Sequence, residues 1–315
     1  MISIIICSRY ELLSNALLQN IADTIGVQYE IIHIANTCNQ YSIFSAYNEG
    51  IKRSKFPYLC FIHEDVLFRS NNWGEKLATH LQQPDSGVFG LAGRDIVTRV
   101  PASWTVKLPA VNIIQSSKNN RKRTKKRFKP KGFNQSKREV VLLDGVMLCM
   151  KRELMNSIKF DENFDGFHGY DFDICIQSAV MGLKNYVMYD IALEHLSRGN
   201  PDVIYYRNLI AIFKKWQNHL PLIGASTSEK QKNEITKIEK AGLARLLRKL
   251  ARRGFSVAEI KSEINYFEKI TYGQNRKFRN FLIPFEVFAV KLLNHPKYLL
   301  YTKNKPNPLF TETNG

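Results

Sequence analysis

Through the first 190 residues, short runs of Ile, Val, Leu and Phe alternate with amphipathic stretches, and this alternation limits the fold more than any other feature of the chain. Apolar runs of four to eight residues read as buried strands, and apolar residues at three and four spacing read as helices. Their alternation is the pattern of βα units around a largely parallel sheet. Strands are expected at 2–7, 30–34, 58–62, 87–92, 140–150 and 185–189, and helices at 11–21, 43–53, 73–81 and 171–181. Between 93 and 138 the pattern lapses. After Pro201 the period turns helical, at 203–219, 228–253, 256–270 and 275–293, with Gly254 as a stop and Ser256-x-x-Glu259 as a capping box. The reading is an α/β domain over 1–200 and a mostly helical region over 201–315.

A hydrophobic content of 44% over 315 residues is enough to bury a core, which sets aside disordered and collagen-like classes. The formal charge of +18 is unevenly placed. Residues 118–138 carry +11 with no acid, residues 201–315 carry +12, and the remainder carries −5. A basic binding role therefore cannot describe the α/β part. The cysteines Cys7, Cys38, Cys60, Cys149 and Cys175 are odd in number and lack CxxC spacing, so they read as reduced thiols. The apolar opening is too short for a signal peptide, and Pro284, Glu286, Lys291, His295 and Lys297 interrupt the most apolar late stretch. The expectation is a cytoplasmic protein, soluble or peripheral on the inner face of a membrane.

Three polar clusters end apolar elements. The run Tyr58-Leu-Cys-Phe-Ile stops at His63-Glu64-Asp65, where open α/β sheets bind ligands. Alternation along a strand puts His63 and Asp65 on one side and Glu64 on the other. A histidine and a carboxylate so placed can hold a divalent metal, whose charge would offset that of a diphosphate; the plainer alternative is a solvated strand end. Gly169-Tyr-Asp-Phe-Asp places Asp171 and Asp173 at a helix start, where carboxylates either cap the helix or, for Asp171 beside a flexible Gly, act as a general base. The third cluster, Glu194-His195, lies just beyond the strand at 185–189.

Taken in order, these segments resemble a GT-A glycosyltransferase of the family 2-like group over residues 1–200. Ile4-Ile-Ile-Cys-Ser-Arg-Tyr-Glu resembles the opening strand and turn that receive the nucleotide, and Ala46-Tyr-Asn-Glu-Gly resembles the small-x-Asn-x-Gly helix. Phe61-Ile-His-Glu-Asp-Val stands where the group has its Asp-x-Asp metal motif, with His63 in place of the first Asp. Leu143-Asp-Gly-Val resembles the donor-sugar strand, Gly169-Tyr-Asp-Phe-Asp the segment supplying the base, and Glu194-His195 the late metal-binding His. Ala35 stands where many relatives carry an Asp near the nucleobase.

The resemblance implies an inverting, metal-assisted transfer from a nucleotide-diphosphate sugar, UDP-linked, to an acceptor hydroxyl in surface polysaccharide or glycan synthesis. It implies Asp171 as catalytic base. Ser8, Arg9, Glu11, Asn36, Asn48 and Glu64 would line the nucleotide, and Asp144 with Gly145 the donor sugar. Asp65, His195 and His63 would hold Mn²⁺ or Mg²⁺. A nucleotidyltransferase fits less well, because Cys7-Ser-Arg-Tyr-Glu has no glycine, and a dinucleotide-binding dehydrogenase lacks its GxGxxG.

The 118–138 run reads as a mobile loop, since so basic a segment cannot bury itself. Its alternatives are a solvated insertion, a nucleic-acid arm with only Phe128 for stacking, or a lid favouring an anionic, lipid-linked acceptor. The tail helices, exemplified by Ala241-Gly-Leu-Ala-Arg-Leu-Leu-Arg-Lys-Leu, could rest on an anionic membrane, pack on the catalytic domain or form an oligomer. From another functional class, the chain could be a catalytically silent GT-A-like protein that binds polyanions or such a membrane.

Overall fold

The Ile-rich opening run becomes a strand with neighbours on both edges and side chains buried on both faces, which favours apolar residues along it; the buried exception in its interior, Ser3, donates its hydroxyl to Glu30 at 2.6 Å. In the computed structural model, which describes residues 1–102, 110–116, 124–128, 134–197, 201–225 and 227–273, this run is β1 (Ile2–Ser8). It pairs in parallel with β2 (Tyr29–Ala35) and β3 (Tyr58–Ile62), and Ile2, Ile4, Ile5 and Ile6 are fully buried. The connections are α1 (Asn15–Thr24), capped by the Ser14 hydroxyl accepting from the Leu17 amide, and α2 (Ile43–Arg53), capped likewise by Ser42. The Ser14 cap explains why α1 starts later than residue 11, where the apolar periodicity begins. Helix α2 lies close on the sheet at Gly50, where an added Cβ would meet the Ile5 side chain at 2.4 Å.

The chain continues through β4 (Val66–Phe68), α3 (Trp73–Leu81), β5 (Ser86–Gly90), β6 (Ala92–Arg94), β7 (Ile96–Val97), β8 (Ala110–Gln115) and β9 (Thr124–Phe128). Next come β10 (Lys137–Val140), β11 (Leu142–Leu143), β12 (Met147–Lys151), α4 (Tyr170–Val180), β13 (Lys184–Met188) and β14 (Leu193–His195). The later elements are α5 (Val203–Lys215), β15 (Leu222–Ile223), α6 (Glu229–Asn233), α7 (Ile235–Arg252) and α8 (Val257–Tyr272).

A seven-stranded sheet runs β10-β13-β5-β12-β3-β1-β2, and a six-stranded one runs β11-β6-β8-β14-β4 with β9 paired to β8; β7 and β15 form a small third sheet. The α/β expectation holds, but the main sheet is mixed rather than largely parallel: β12 is antiparallel to both β3 and β5, and β10 is antiparallel to β13. The cause is local. The expected single strand over 140–150 breaks twice: at Val141, where the chain passes from β10 in the main sheet to β11 in the other, and at Asp144, whose Oδ1 accepts from the Val146 amide where the chain turns back to β12 in the main sheet. No crossover helix precedes β12, so it need not run parallel. The strand expected at 87–92 likewise divides into β5 and β6.

The middle of the basic run is also a strand. β9 pairs antiparallel with β8 over five residues, whereas the composition suggested an unpaired loop. Backbone pairing at a sheet edge asks for hydrogen bonds, not for burial of the lysines and arginines. The helix expected at 275–293 lies outside the described residues.

The structure divides into two compact units, Met1–Glu239 and Lys240–Gly315. In the second, Leu243, Leu246, Leu247 and Leu250 are buried at helical spacing, as are Ile260, Ile264 and Phe267. The Ser256–Glu259 capping box is formed, after Gly254 at φ +85°. Among the described residues no helix is long and apolar enough to cross a membrane.

In the first unit, the acidic segment 161–173 is fastened to α5. Asp173, 1% exposed, accepts from Lys215 Nζ at 2.9 and 3.0 Å, Trp216 Nε1 at 2.7 Å and Gln177 Nε2 at 2.8 Å. Asn208 donates to the carbonyls of Asp165 and His168 at 2.6 and 2.9 Å. Asp173→Ala takes the acceptor from the Trp216 indole and one of two carboxylates from the Lys215 ammonium, which keeps Asp161 at 2.7 Å, and is expected to cost about 2 to 3 kcal/mol. For a unit of this size that is a fall in Tm of roughly 5 to 10 °C, read by thermal melting; an unchanged Tm would show that the cluster does not fasten α5.

Candidate active site

The C-terminal ends of the parallel strands β1 and β3 lie side by side, so the residues that follow them share one rim of the sheet. After β3 come His63, Glu64 and Asp65. The pairing of β14 with β4 brings the third cluster to the same place: His195 stands opposite Val66, and the Leu196 amide donates to the Asp65 carbonyl at 2.9 Å. Antiparallel registry thus joins residues 130 positions apart. Alternation along β14 sends Glu194 the other way, into a buried site where it accepts from Arg69 at 2.8 Å and from the Ser116 hydroxyl.

His63, Asp65 and His195, each half-buried, have one potential ligand atom apiece within 4.8 Å of one another, the one such group among the described residues. His63 Nδ1 is 3.4 Å from His195 Nε2, which is 3.4 Å from Asp65 Oδ1. Two imidazole nitrogens and one carboxylate oxygen on one side of a rim are a chemically competent donor set for a divalent transition metal. Burial pulls against ionisation of Asp65, but hydrogen bonds from His195 and Ser197 and the nearby His195 charge hold it well below the usual carboxylate range. The His63 pKa is lowered as well, by burial and the neighbouring His195, which favours the neutral ring a metal requires.

The base candidate approaches from α4. Gly169, at φ +95°, turns the chain into the helix, and Tyr170 and Asp171 are its first residues. Tyr170 is buried in an aromatic cluster, with its ring centroid 5.3 Å from that of Tyr47 and 6.4 Å from those of Phe44 and Phe160. Its hydroxyl donates to the Gly145 carbonyl at 3.0 Å and lies 3.0 Å from His63 Nε2. The Gly145 amide in turn donates to Asp171 Oδ2 at 3.1 Å, while the Phe172 amide donates to Oδ1 at 3.0 Å. A Cβ on Gly145 would stand 2.2 Å from the Tyr170 hydroxyl, so the contact requires glycine. The backbone of this one residue therefore connects, through Tyr170, the His63–Asp65–His195 cluster to Asp171.

Burial, and then the charge of Asp144, push the Asp171 pKa up to about 7, despite the backbone amides that favour its charged form. A carboxyl so poised can accept a proton near neutral pH and release it again.

The residues expected around a nucleotide divide into two sets. Arg9 and Glu64 meet: the Arg9 amide donates to Oε2 at 3.1 Å and its Nε to Oε1 at 3.2 Å, with the Arg9 side chain 76% exposed. Ser8 is buried at the end of β1 and accepts from the Tyr10 amide at 3.0 Å, while Glu11 is exposed. Asn36 and Asn48 have their amides engaged in the fold. Asn36 exchanges both its polar atoms with the Tyr41 backbone at 2.8 and 3.0 Å, and Asn48 donates to the Phe160 carbonyl and Glu162 at 2.8 and 2.7 Å. The sequence reading missed Tyr170 as a member of the site. Its only signal was adjacency to Asp171, since nothing in the local pattern tells that its hydroxyl meets a histidine 107 positions earlier.

The model of the glycosyltransferase-like family matches residues 3–224. An open reading frame product of Fuscovulum blasticum, named for the ATP synthase subunits region as ORF 6, is 26% identical over 190 residues, covering 58% of this chain and 69% of that one. The crystal structure of GalNAc-T7 with UDP, GalNAc and Mn²⁺ is similar with a TM-score of 0.48 and 12% identity. That match covers 85% of this chain but only 57% of the other, less than two thirds of its length.

The coupling of Asp144 and Asp171 can be read without turnover. The ¹³C carboxyl resonance of Asp171 is expected to titrate with a midpoint of about 7, and Asp144→Asn, which removes the neighbouring negative charge, to move that midpoint down. A midpoint near 4 in the unmodified protein would contradict the geometry.

Proposed function

Since this chain belongs to the glycosyltransferase-like family, we propose that it transfers a sugar, with inversion, from a UDP-linked donor to an acceptor hydroxyl in glycan synthesis. The observation that supports this most directly is the joining of the His63, Asp65 and His195 cluster to Asp171 through Gly145, at the sheet rim where α/β proteins bind nucleotides.

In this reading Asp171 accepts the proton of the acceptor hydroxyl as its oxygen bonds to the anomeric carbon and the bond to the diphosphate breaks. Gly145 and Phe172 orient the carboxylate through their amides, so that an oxygen lone pair remains for the proton. Asp144, fixed by its hydrogen bond to Val146, holds donor-sugar hydroxyls. Arg9 and Glu64, with Ser8 and Glu11 nearby in sequence, meet the nucleotide. Asp65, His195 and His63 hold a divalent cation, which when bound supplies Lewis-acid stabilisation of the departing diphosphate. Two histidines in the donor set favour Mn²⁺ over Mg²⁺, because imidazole suits the softer ion.

The acceptor is proposed to be anionic, a lipid-linked or acidic glycan at the inner face of a membrane. This rests on the strand that precedes the basic run: β8 pairs with β14, the Ser116 amide donates to the His195 carbonyl at 3.0 Å, and β9, within the run, pairs back along β8. The backbone of β9 thus lies along the strand that pairs with β14.

A panel of nucleotide sugars, assayed for donor hydrolysis and transfer with and without Mn²⁺, tests the reading. Asp171→Asn is expected to lower kcat about 10²- to 10⁴-fold with UDP affinity unchanged. In the unmodified protein kcat/KM is expected to rise with pH and level off above about 7, because the base acts as carboxylate. Asp65→Ala is expected to abolish the thermal stabilisation given by UDP with Mn²⁺. Indifference of the protein to every nucleotide, with or without metal, would instead favour a silent fold that binds polyanions.

A further inference from the structure

A neutral imidazole carries its proton on one of two nitrogens, and only the other can bind a metal. Which nitrogen of His63 is free is decided by the partner of Nε2. That partner is the Tyr170 hydroxyl, at 3.0 Å. A phenol has a single proton to give; the Gly145 carbonyl can only accept it, whereas the Tyr47 hydroxyl, which also hydrogen-bonds to Tyr170, can turn its own proton toward the phenol oxygen, so the Tyr170 proton goes to Gly145. Toward His63 the phenol oxygen therefore presents a lone pair, which requires a proton on Nε2 and leaves Nδ1 bare. Nδ1 is the atom that faces His195 Nε2 at 3.4 Å, on the side of Asp65.

We propose that Tyr170 is a positioning residue that holds His63 in its Nε2–H form, with the Nδ1 lone pair aimed at the point between His195 and Asp65. This rests on the reading of those three residues as a metal site, but the position of the proton can be measured without metal. The tyrosine is built for the task. It is buried, and its ring is packed by Phe44, Tyr47 and Phe160, so the hydroxyl has little freedom to turn elsewhere. Gly145 lacks the Cβ that would push it away. As the first residue of α4 it is also bonded in sequence to Asp171, so the residue that sets the metal ligand and the residue that takes the proton move together.

The test joins two measurements on the full chain. Imidazole ¹⁵N shifts of the metal-free protein near pH 7.5 should show His63 protonated at Nε2 and bare at Nδ1. Tyr170→Phe keeps the ring and its packing while removing the oxygen, so it should allow the Nδ1–H form to appear and weaken Mn²⁺ binding, measured by calorimetry, about 10- to 100-fold. Its circular dichroism should be unchanged. His63 protonated at Nδ1 in the unmodified protein would overturn the proposal, as would a Tyr170→Phe protein with the same ¹⁵N pattern and Mn²⁺ affinity within twofold. Should the unmodified protein show the Nε2–H form yet bind no Mn²⁺, the metal reading fails while control of the ring by Tyr170 stands.

Discussion

The backbone of Gly145 is the point on which the site turns. Its amide donates to Asp171 and its carbonyl accepts from Tyr170, so two consecutive residues of α4 are anchored on one residue of the turn between β11 and β12. Through Tyr170 the anchor reaches His63, and the His63 amide reaches back to the Val146 carbonyl at 3.3 Å. The loop is closed: strand end, turn and helix start each fix the other two. In a buried setting such a network is stable only when every donor has its acceptor, which is why a single Cβ at Gly145 would disturb members on both sides.

What holds α4 against that turn lies further from the chemistry. Apolar burial supplies the bulk, with the rings of Tyr47 and Phe160 each in contact with those of Phe61 and Tyr170, and with Ile2, Ile4 and Ile6 in the core with Phe68 and Trp73. Polar groups then select the orientation. Asp173 grips Lys215 and Trp216, and Asn208 holds the loop from Asp165 to His168 that delivers the chain to Gly169. Helix α5 therefore serves as a brace for the loop that precedes the candidate base. It belongs to the same compact unit as the sheet, although its helical period resembles that of the tail.

Much of this was legible in the sequence, for physical reasons. The doubly buried β1 is apolar at most of its positions, and the polar stop after β3 marked a rim, so the metal candidates His63, Asp65 and His195 could be named from their places at strand ends. The break at Asp144 was not visible, because Val140-Val-Leu-Leu and Val146-Met-Leu-Cys-Met are equally apolar and one side-chain hydrogen bond decides where the chain turns. The strand in the basic run was hidden because composition speaks of burial, and an edge strand need not be buried. Tyr170 could not be found because its role depends on a contact across 107 positions.

The histidine at position 63 has an electrostatic consequence apart from its place in the candidate metal cluster. The site already gathers Asp65, Asp144 and Asp171, and the charge of Asp144 together with burial has brought Asp171 up to about 7. An aspartate at position 63 would add another negative charge to this group and push the base higher, since like charges in a partly desolvated pocket oppose ionisation. A proton acceptor raised further above neutrality would be occupied by its own proton for most of the time. Neutral His63 offers a metal lone pair with no charge attached, and its second nitrogen, which a carboxylate would lack as a donor, is free to engage Tyr170. Histidine at this position thus keeps three candidate ligands while limiting the repulsion on the candidate base, and its second nitrogen is the atom through which Tyr170 meets the cluster.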